Sequence, residues 1–254
     1  MTFDVTADAY DRFMGRFSEP LAEQFVGLAG LTAGQRALDV GCGPGALTAR
    51  LVERLGADAV AGVDPSASFV AAARERFPGV NVREARAEEL PFPDGTFDVV
   101  LAQLVVHFMD DPVAGLKEMG RVARPGGTVA ACVWDNAGGT GPLSLFWRAV
   151  RDLHPSAEGE SGLPGTHQGQ LAELATKAEL VDVEPSVLTV RLTFDTFADW
   201  WDPFTLGVGP AGVYVGRLPE AERHALAARC AVLLGPAPFE LSASAWAVKA
   251  RSLG

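Results

Sequence analysis

From Arg36 to Ala46 the chain reads R-A-L-D-V-G-C-G-P-G-A: an apolar run ends in Asp39, and then Gly41, Gly43 and Gly45 alternate with Cys42 and Pro44. A helical pattern, Leu47-Thr48-Ala49-Arg50-Leu51-Val52, begins at once. The order is strand, glycine turn, helix start. Glycine lacks a Cβ and tolerates positive φ, so a ligand can lie against bare backbone there. The helix N-terminus behind the turn offers unpaired N–H groups and a partial positive charge. A nucleotide-like cofactor is the natural occupant.

Two cofactors suit the spacing. Gly41, Gly43 and Ala46 satisfy the G-x-G-x-x-G/A pattern of a dinucleotide site. Gly41, Gly43 and Gly45 satisfy G-x-G-x-G, which resembles the signature loop of class I S-adenosylmethionine-dependent methyltransferases. Asp39 favours the second, because a carboxylate before the first glycine repels a pyrophosphate but suits the ammonium of a methionine moiety. A second apolar run, Val60-Ala61-Gly62-Val63, also ends in an acid, Asp64, 21 residues after Gly43. That is near the spacing expected of an acid on a ribose diol. A carboxylate can accept from both hydroxyls, although Asp64 also suits the N-cap of a helix starting near Pro65-Ser66. Ala87-Glu88, before Leu90-Pro91-Phe92, resembles the adenine-contacting segment of the same methyltransferases, and otherwise reads as a surface loop.

In combination these segments resemble the methyltransferase type 11 group, relatives of the ubiquinone/menaquinone methyltransferases. The resemblance covers roughly residues 35 to 135. It runs through Leu38–Gly45, Gly62-Val63-Asp64-Pro65-Ser66, Ala87–Phe92 and Phe97-Asp98, and ends in Glu118-Met119-Gly120-Arg121-Val122-Ala123-Arg124-Pro125-Gly126-Gly127. It implies an α/β fold: a Rossmann-like, doubly wound, seven-stranded sheet, mostly parallel, with helical cap insertions. The last strand is antiparallel and inserted between its neighbours. It implies S-adenosyl-L-methionine as cofactor and S-adenosyl-L-homocysteine as product, held by Asp39, Gly41, Gly43, Gly45, Asp64, Pro65, Ala87, Glu88 and Gln103. Tyr10-Asp11-Arg12-Phe13-Met14-Gly15-Arg16 resembles an opening motif of several relatives. By that likeness Arg16 pairs with the cofactor carboxylate and Tyr10 lies near the sulfonium; an exposed amphipathic helix is the alternative.

The organisation follows. Residues 1–34 read as an N-terminal helical lid. Residues 35–135 alternate strand and helix, which implies parallel strands with right-handed crossovers. Residues 136–170, rich in Gly, Pro and Ser, read as a loop-rich cover around a helix from Leu143 to Leu153. Residues 171–254 return to the core: Val181–Glu184 and Val187–Leu192 alternate like a strand, as does Leu241–Ala250, and by the family likeness these are the last two strands. A substrate-cap insertion is expected at 194–240. Trp200, Trp201, Phe204 and Tyr214 in that insertion, with Trp134 at the end of the fifth strand, are candidates for an apolar substrate pocket. They suit the core of the insertion equally well. The insertion resembles one in some actinobacterial-looking members of the group.

The chain has 254 residues, enough for one sizeable α/β domain with an insertion. No run approaches the ~18 apolar residues of a membrane span. Met1–Asp8 lack a basic region followed by an apolar core, so no secretory leader is expected. Cys42, Cys132 and Cys230 make neither a disulfide framework nor a zinc pattern, which suits a cytoplasmic setting. A net charge of −11 disfavours nucleic acid as a partner. Monomer and homodimer stay open.

Methyl transfer from a sulfonium needs an oriented nucleophile and a dry site more than a dedicated base. His107, just beyond the fourth strand, is the candidate base where the acceptor must lose a proton; a packing histidine is the alternative. His154, His167 and Asp135 are weaker candidates on loops. The chain lacks the Asn/Asp-Pro-Pro-aromatic run of adenine-modifying enzymes, the thiol cluster of arsenic methylation and, despite Asp110 and Asp111, convergent carboxylates for a metal. The expected function is methylation of a small apolar or aromatic acceptor. The alternatives are an NAD-type dehydrogenase, or a protein that binds the cofactor without transferring methyl groups.

Overall fold

The computed structural model describes residues 7–253; the expectation for Met1–Asp8 and the first part of the lid fall largely or partly outside them. Seven strands form one sheet in the order β3-β2-β1-β4-β5-β7-β6. They are β1 (Ala37–Val40), β2 (Val60–Asp64), β3 (Asn81–Glu84), β4 (Phe97–Gln103), β5 (Ala123–Trp134), β6 (Val181–Phe194) and β7 (Phe239–Arg251). The first five strands pair in parallel, and β7 runs antiparallel to β5 and β6, between which it lies.

β1 and β2 are buried throughout, as strands covered on both faces must be. Successive residues feed opposite cores: on β4, Val99 and Leu101 join one and Val100 and Ala102 the other. On the first face pack α2 (Arg16–Ala29) and α3 (Ala46–Leu55), with Phe17, Leu21, Phe25 and Leu51 in the core. On the second lie α5 (Pro112–Val122), buried through Leu116 and Met119, and α7 (Gln170–Lys177). α5 starts sharply because the Asp111 carboxylate accepts from the Val113 and Ala114 amides at 3.0 Å and Pro112 opens the helix. α4 (Ala67–Arg76) follows β2. α6 (Ser144–Leu153) lies within residues 136–170.

The helical lead-in is continuous but not uniform. α1 (Ala7–Tyr10) passes into a π-helical turn (Asp11–Gly15) and then into α2. Such wide turns recur at functional sites.

The alternating stretches Val181–Glu184 and Val187–Leu192 lie on one strand, β6, as expected. Pro185 is tolerated because β6 is the edge of the sheet, and a register irregularity falls between Val181 and Glu184. The Gln24 side chain on α2 closes part of that edge: its Nε2 donates to the Thr189 carbonyl at 2.7 Å and its Oε1 accepts from the Thr189 amide at 3.2 Å. Between β6 and β7 the chain forms α8 (Phe197–Trp201), α9 (Gly209–Arg217) and α10 (Glu220–Leu234). No helix among the described residues is long and apolar enough to cross a membrane.

Candidate functional site

The carboxyl ends of β1, β2 and β4 converge on the glycine turn. Gly41 has φ +70°, and a Cβ there would stand 2.3 Å from Val105 Cγ2, so this glycine lets the β4 loop pack onto the turn. Gly43 has φ +52° and nothing within 4 Å of a Cβ position: its face opens on a cavity. The Gly41 and Cys42 amides donate to the Val63 carbonyl at 2.8 and 2.9 Å. Asp64 ties the two loops together, one carboxylate oxygen accepting from the Gly43 amide at 2.9 Å and the other from the Ser66 amide at 2.8 Å. Burial pushes its pKa upward against those two bonds. Ser66, not Asp64, is the N-cap of α4. Gly45 backs onto Phe77 and does not line the cavity.

The cavity above the turn holds about 340 Å³. Gly41, Gly43, Asp64, Pro65, Ala87, Glu88, Gln103 and Tyr10 all line it. Glu88 is already engaged: its Oε1 accepts from the Asp110 amide at 2.8 Å and the Asp111 amide at 3.3 Å, so it props the loop that opens α5. Beneath lies a smaller pocket of about 30 Å³ bounded by Asp39, Gly41, Gly43 and Gln103. Asp39 is 1% exposed; its Oδ2 accepts from the Thr48 hydroxyl at 2.7 Å and its Oδ1 has no partner. Burial pushes its pKa up to about 7. The Gln103 Nε2 donates to the Ser18 carbonyl at 2.9 Å, and its Oε1 is also without a partner. Two buried acceptors lacking donors beside a glycine turn fit an ammonium group.

A third cavity, of about 40 Å³, lies next to the first and shares Tyr10, Leu104 and Phe108 with it. His107, Phe13, Trp134, Leu143, Glu160 and Val208 also line it. His107 is buried, its Nδ1 has no partner, and burial alone pushes its pKa down to about 3. It is a neutral imidazole, suited to a hydrogen bond and weak as a base. Tyr10 stands at the junction of all three cavities, packs edge-on against Phe69 with ring centroids 5.4 Å apart, and keeps its proton because burial raises its pKa to about 12.

Several expected site residues lie elsewhere. The Arg16 guanidinium sits 4.4 Å over the Phe194 ring and donates to the Asp199 carbonyl at 3.2 Å, away from the cofactor-sized cavity. Trp200, Trp201, Phe204 and Tyr214 pack on other rings rather than around the third cavity: Phe204 stacks on Phe146 at 4.6 Å, Trp200 lies 4.8 Å from Phe204, and Tyr214 meets Trp147 at 5.7 Å. Trp201 stacks on Phe197 at 6.0 Å. Trp134 alone of the five lines that cavity. Asp135 is a clamp, accepting from Gly138, Thr140 and Trp246. His154 faces Glu222 at 3.7 Å, and neither it nor His167 lines any of the three cavities.

Leu104, Phe108 and Glu160 were not legible as site residues. Leu104 lines all three cavities with φ +61°, strained for a bulky side chain. Nothing in its sequence context signals that conformation. Glu160 is an acid in a Gly/Ser stretch, where solvation is the usual fate.

A family model described as "Methyltransferase domain" matches residues 38–131. An uncharacterized methyltransferase of Mycobacterium tuberculosis is 38% identical over 199 residues, 78% of this chain and 76% of that one. A trans-aconitate 2-methyltransferase of Rhodopseudomonas palustris is 35% identical over 186 residues, 70% of this chain and 71% of that one. The fold is similar to that of Haemonchus contortus phosphoethanolamine N-methyltransferase 2 in complex with S-adenosyl-L-methionine, with TM-score 0.56, 19% identity, and coverage of 95% of this chain and 59% of that one. Glycine turn, sheet order and relatives agree: the chain belongs to the class I S-adenosylmethionine-dependent methyltransferases.

Proposed function

We propose that this protein methylates a small, largely apolar or aromatic acceptor bound in the third cavity. The observation that carries the reading is the shared wall. Tyr10, Leu104 and Phe108 separate a cavity lined by glycines and carboxylates from one lined by Phe13, Trp134, Leu143 and Val208. The residues present fit the cofactor: Asp39 and Gln103 for the ammonium, Asp64 for the ribose hydroxyls, and the Ala87-Glu88 backbone for the adenine edge. S-adenosylmethionine supplies an already activated methyl group on a sulfonium. The protein's part is to orient the acceptor and exclude water. Tyr10, Phe13 and Leu104 form an apolar wall for that purpose, and His107, neutral and with an unused ring nitrogen, offers the acceptor a hydrogen bond.

Calorimetric titration with S-adenosylmethionine, S-adenosylhomocysteine and NAD tests the assignment. Micromolar binding of the first two and none of NAD is expected. NAD binding alone overturns it. Turnover with small aromatic acceptors then separates an enzyme from a protein that only binds the cofactor.

A further inference from the structure

Among the described residues, one charged side chain lines the third cavity. Glu160 is 6% exposed, on a short helical turn (Glu160–Gly162) of the cover segment. Trp147 holds it in place: the indole Nε1 donates to Glu160 Oε2 at 2.9 Å, and Gly159 lets the chain pass so close to the Trp147 ring that a Cβ would fall 3.1 Å from it. That single bond leaves most of the carboxylate's acceptor capacity unused. Four aromatic residues, Tyr10, Phe13, Phe108 and Trp134, line the same cavity, as does His107 with its unpartnered Nδ1. Among the described residues no lysine or arginine lines it.

A buried carboxylate without a cation is costly, and a cavity is the one place where a ligand can supply the missing partner. Aromatic faces attract cations as well. The N-terminal end of α9 reaches the cavity through Val208, Gly209 and Pro210; burial pushes the Glu160 pKa upward against the Trp147 bond, so a cation from a ligand is what would restore the ionised form. An anionic ligand is the rival occupant of such a helix end, but here it would meet Glu160 at close quarters with no basic side chain to offset the repulsion. Carboxylate-rich acceptors such as the aconitate in the name of one relative are therefore poor fits to this cavity.

We infer that the acceptor is an amine, bound through its nitrogen to the Glu160 carboxylate and enclosed by the rings of Tyr10, Phe13, Phe108 and Trp134. The inference rests on the methyl-transfer reading of the site and narrows it to nitrogen acceptors. It also gives Glu160 a second use. An ammonium must lose a proton before its lone pair is free, and the carboxylate can take it, leaving a neutral amine and a neutral carboxyl group.

Three ligands of matched shape test this: phenethylamine, phenethyl alcohol and hydrocinnamate, each titrated calorimetrically into protein saturated with S-adenosylhomocysteine. The amine is expected to bind, with the alcohol and the carboxylate weaker by about tenfold or more, the value of a charged hydrogen bond. Glu160→Gln keeps the shape and the Trp147 bond. It is expected to lower amine affinity by about tenfold or more, with S-adenosylhomocysteine affinity unchanged as proof of folding. Equal or tighter binding of the alcohol or the carboxylate, no binding of the amine, or an amine affinity indifferent to Glu160→Gln overturns the inference. Failure of the protein to bind S-adenosylhomocysteine at all overturns the methyl-transfer reading instead.

Discussion

Replacing Asp39 by asparagine separates what this side chain does for the fold from what it does for the ligand. Asp39 has one donor, the Thr48 hydroxyl, and burial raises its pKa from 3.8 to about 7. The native state therefore keeps a proton that the unfolded chain has released. Stability falls as pH rises through that interval, and above about pH 7 the full cost is in place. At about 1.4 kcal/mol per pH unit, that cost is roughly 4 kcal/mol. Asp39→Asn removes the charge and keeps an oxygen for Thr48. It adds an amide whose imperfect pairing costs about 1–3 kcal/mol. The net gain above neutral pH is about 1–3 kcal/mol, a rise in Tm of roughly 2–12 °C at about 2–4 °C per kcal/mol. At about pH 5 the wild-type group is mostly protonated and the advantage shrinks toward zero or reverses. The ligand tells the opposite story. Losing the charged partner of an ammonium costs about 1.5–3 kcal/mol, or roughly 10- to 150-fold in S-adenosylhomocysteine affinity. Thermal unfolding across pH and calorimetric titration read the two effects separately. A variant less stable above neutral pH, or one that binds S-adenosylhomocysteine as well as wild type does, refutes the reasoning.

The glycine turn gives a paired prediction. Gly41→Ala drives a Cβ to 2.3 Å from Val105 and is expected to cost about 2–4 kcal/mol in chemical denaturation, whereas Gly43→Ala meets open space and is expected to cost only about 1 kcal/mol of stability. Gly43→Ala should nevertheless weaken S-adenosylhomocysteine binding by about tenfold or more, because the new methyl group projects toward the cavity; unchanged affinity would misplace the ligand. Arg16→Ala is expected to leave cofactor affinity unchanged and to lower Tm slightly, since its partners are Phe194 and Asp199; lost affinity in titration would restore the role suggested by the sequence. His107, with its pKa lowered from 6.5 to about 3, carries fewer protons folded than unfolded, so stability is lost as pH falls below 6.5. His107→Gln is expected to flatten that loss in an acid titration of unfolding. The pH profile of kcat/KM should show no limb near 6.5 belonging to this group, and a limb abolished by the variant would make His107 the base.

What could be read from the sequence was local. Asp39, Gly41, Gly43 and Asp64 fall within one strand–turn–helix unit and its neighbour, where spacing along the chain is spacing in the fold. The place of β7 between β5 and β6 came from family likeness, because alternation cannot say where a strand is inserted. Arg16 misled because the partners that hold it are Phe194 and Asp199, on the far side of the sequence. The aromatic residues from Trp200 to Tyr214 were ambiguous for a different reason. A ring that closes a pocket and one that fills a core have the same composition and spacing, and only their mutual stacking distinguishes them. Glu160 gave no signal, since the tryptophan that fixes it lies 13 residues upstream on α6.

The bond pair between Gln24 and Thr189 bears on how copies of this chain meet one another. A sheet ends where nothing pairs with its last strand, and a 14-residue edge such as β6 is an invitation to any extended peptide, including the same strand of a neighbouring molecule. The Gln24 amide has the donor and acceptor of a peptide group and occupies the place of the next backbone. An incoming strand must evict it and forfeit both bonds before gaining its own in that register. The helix that packs on one face of the sheet thus also guards its flank, and pairing of a second strand along β6 in that register is disfavoured.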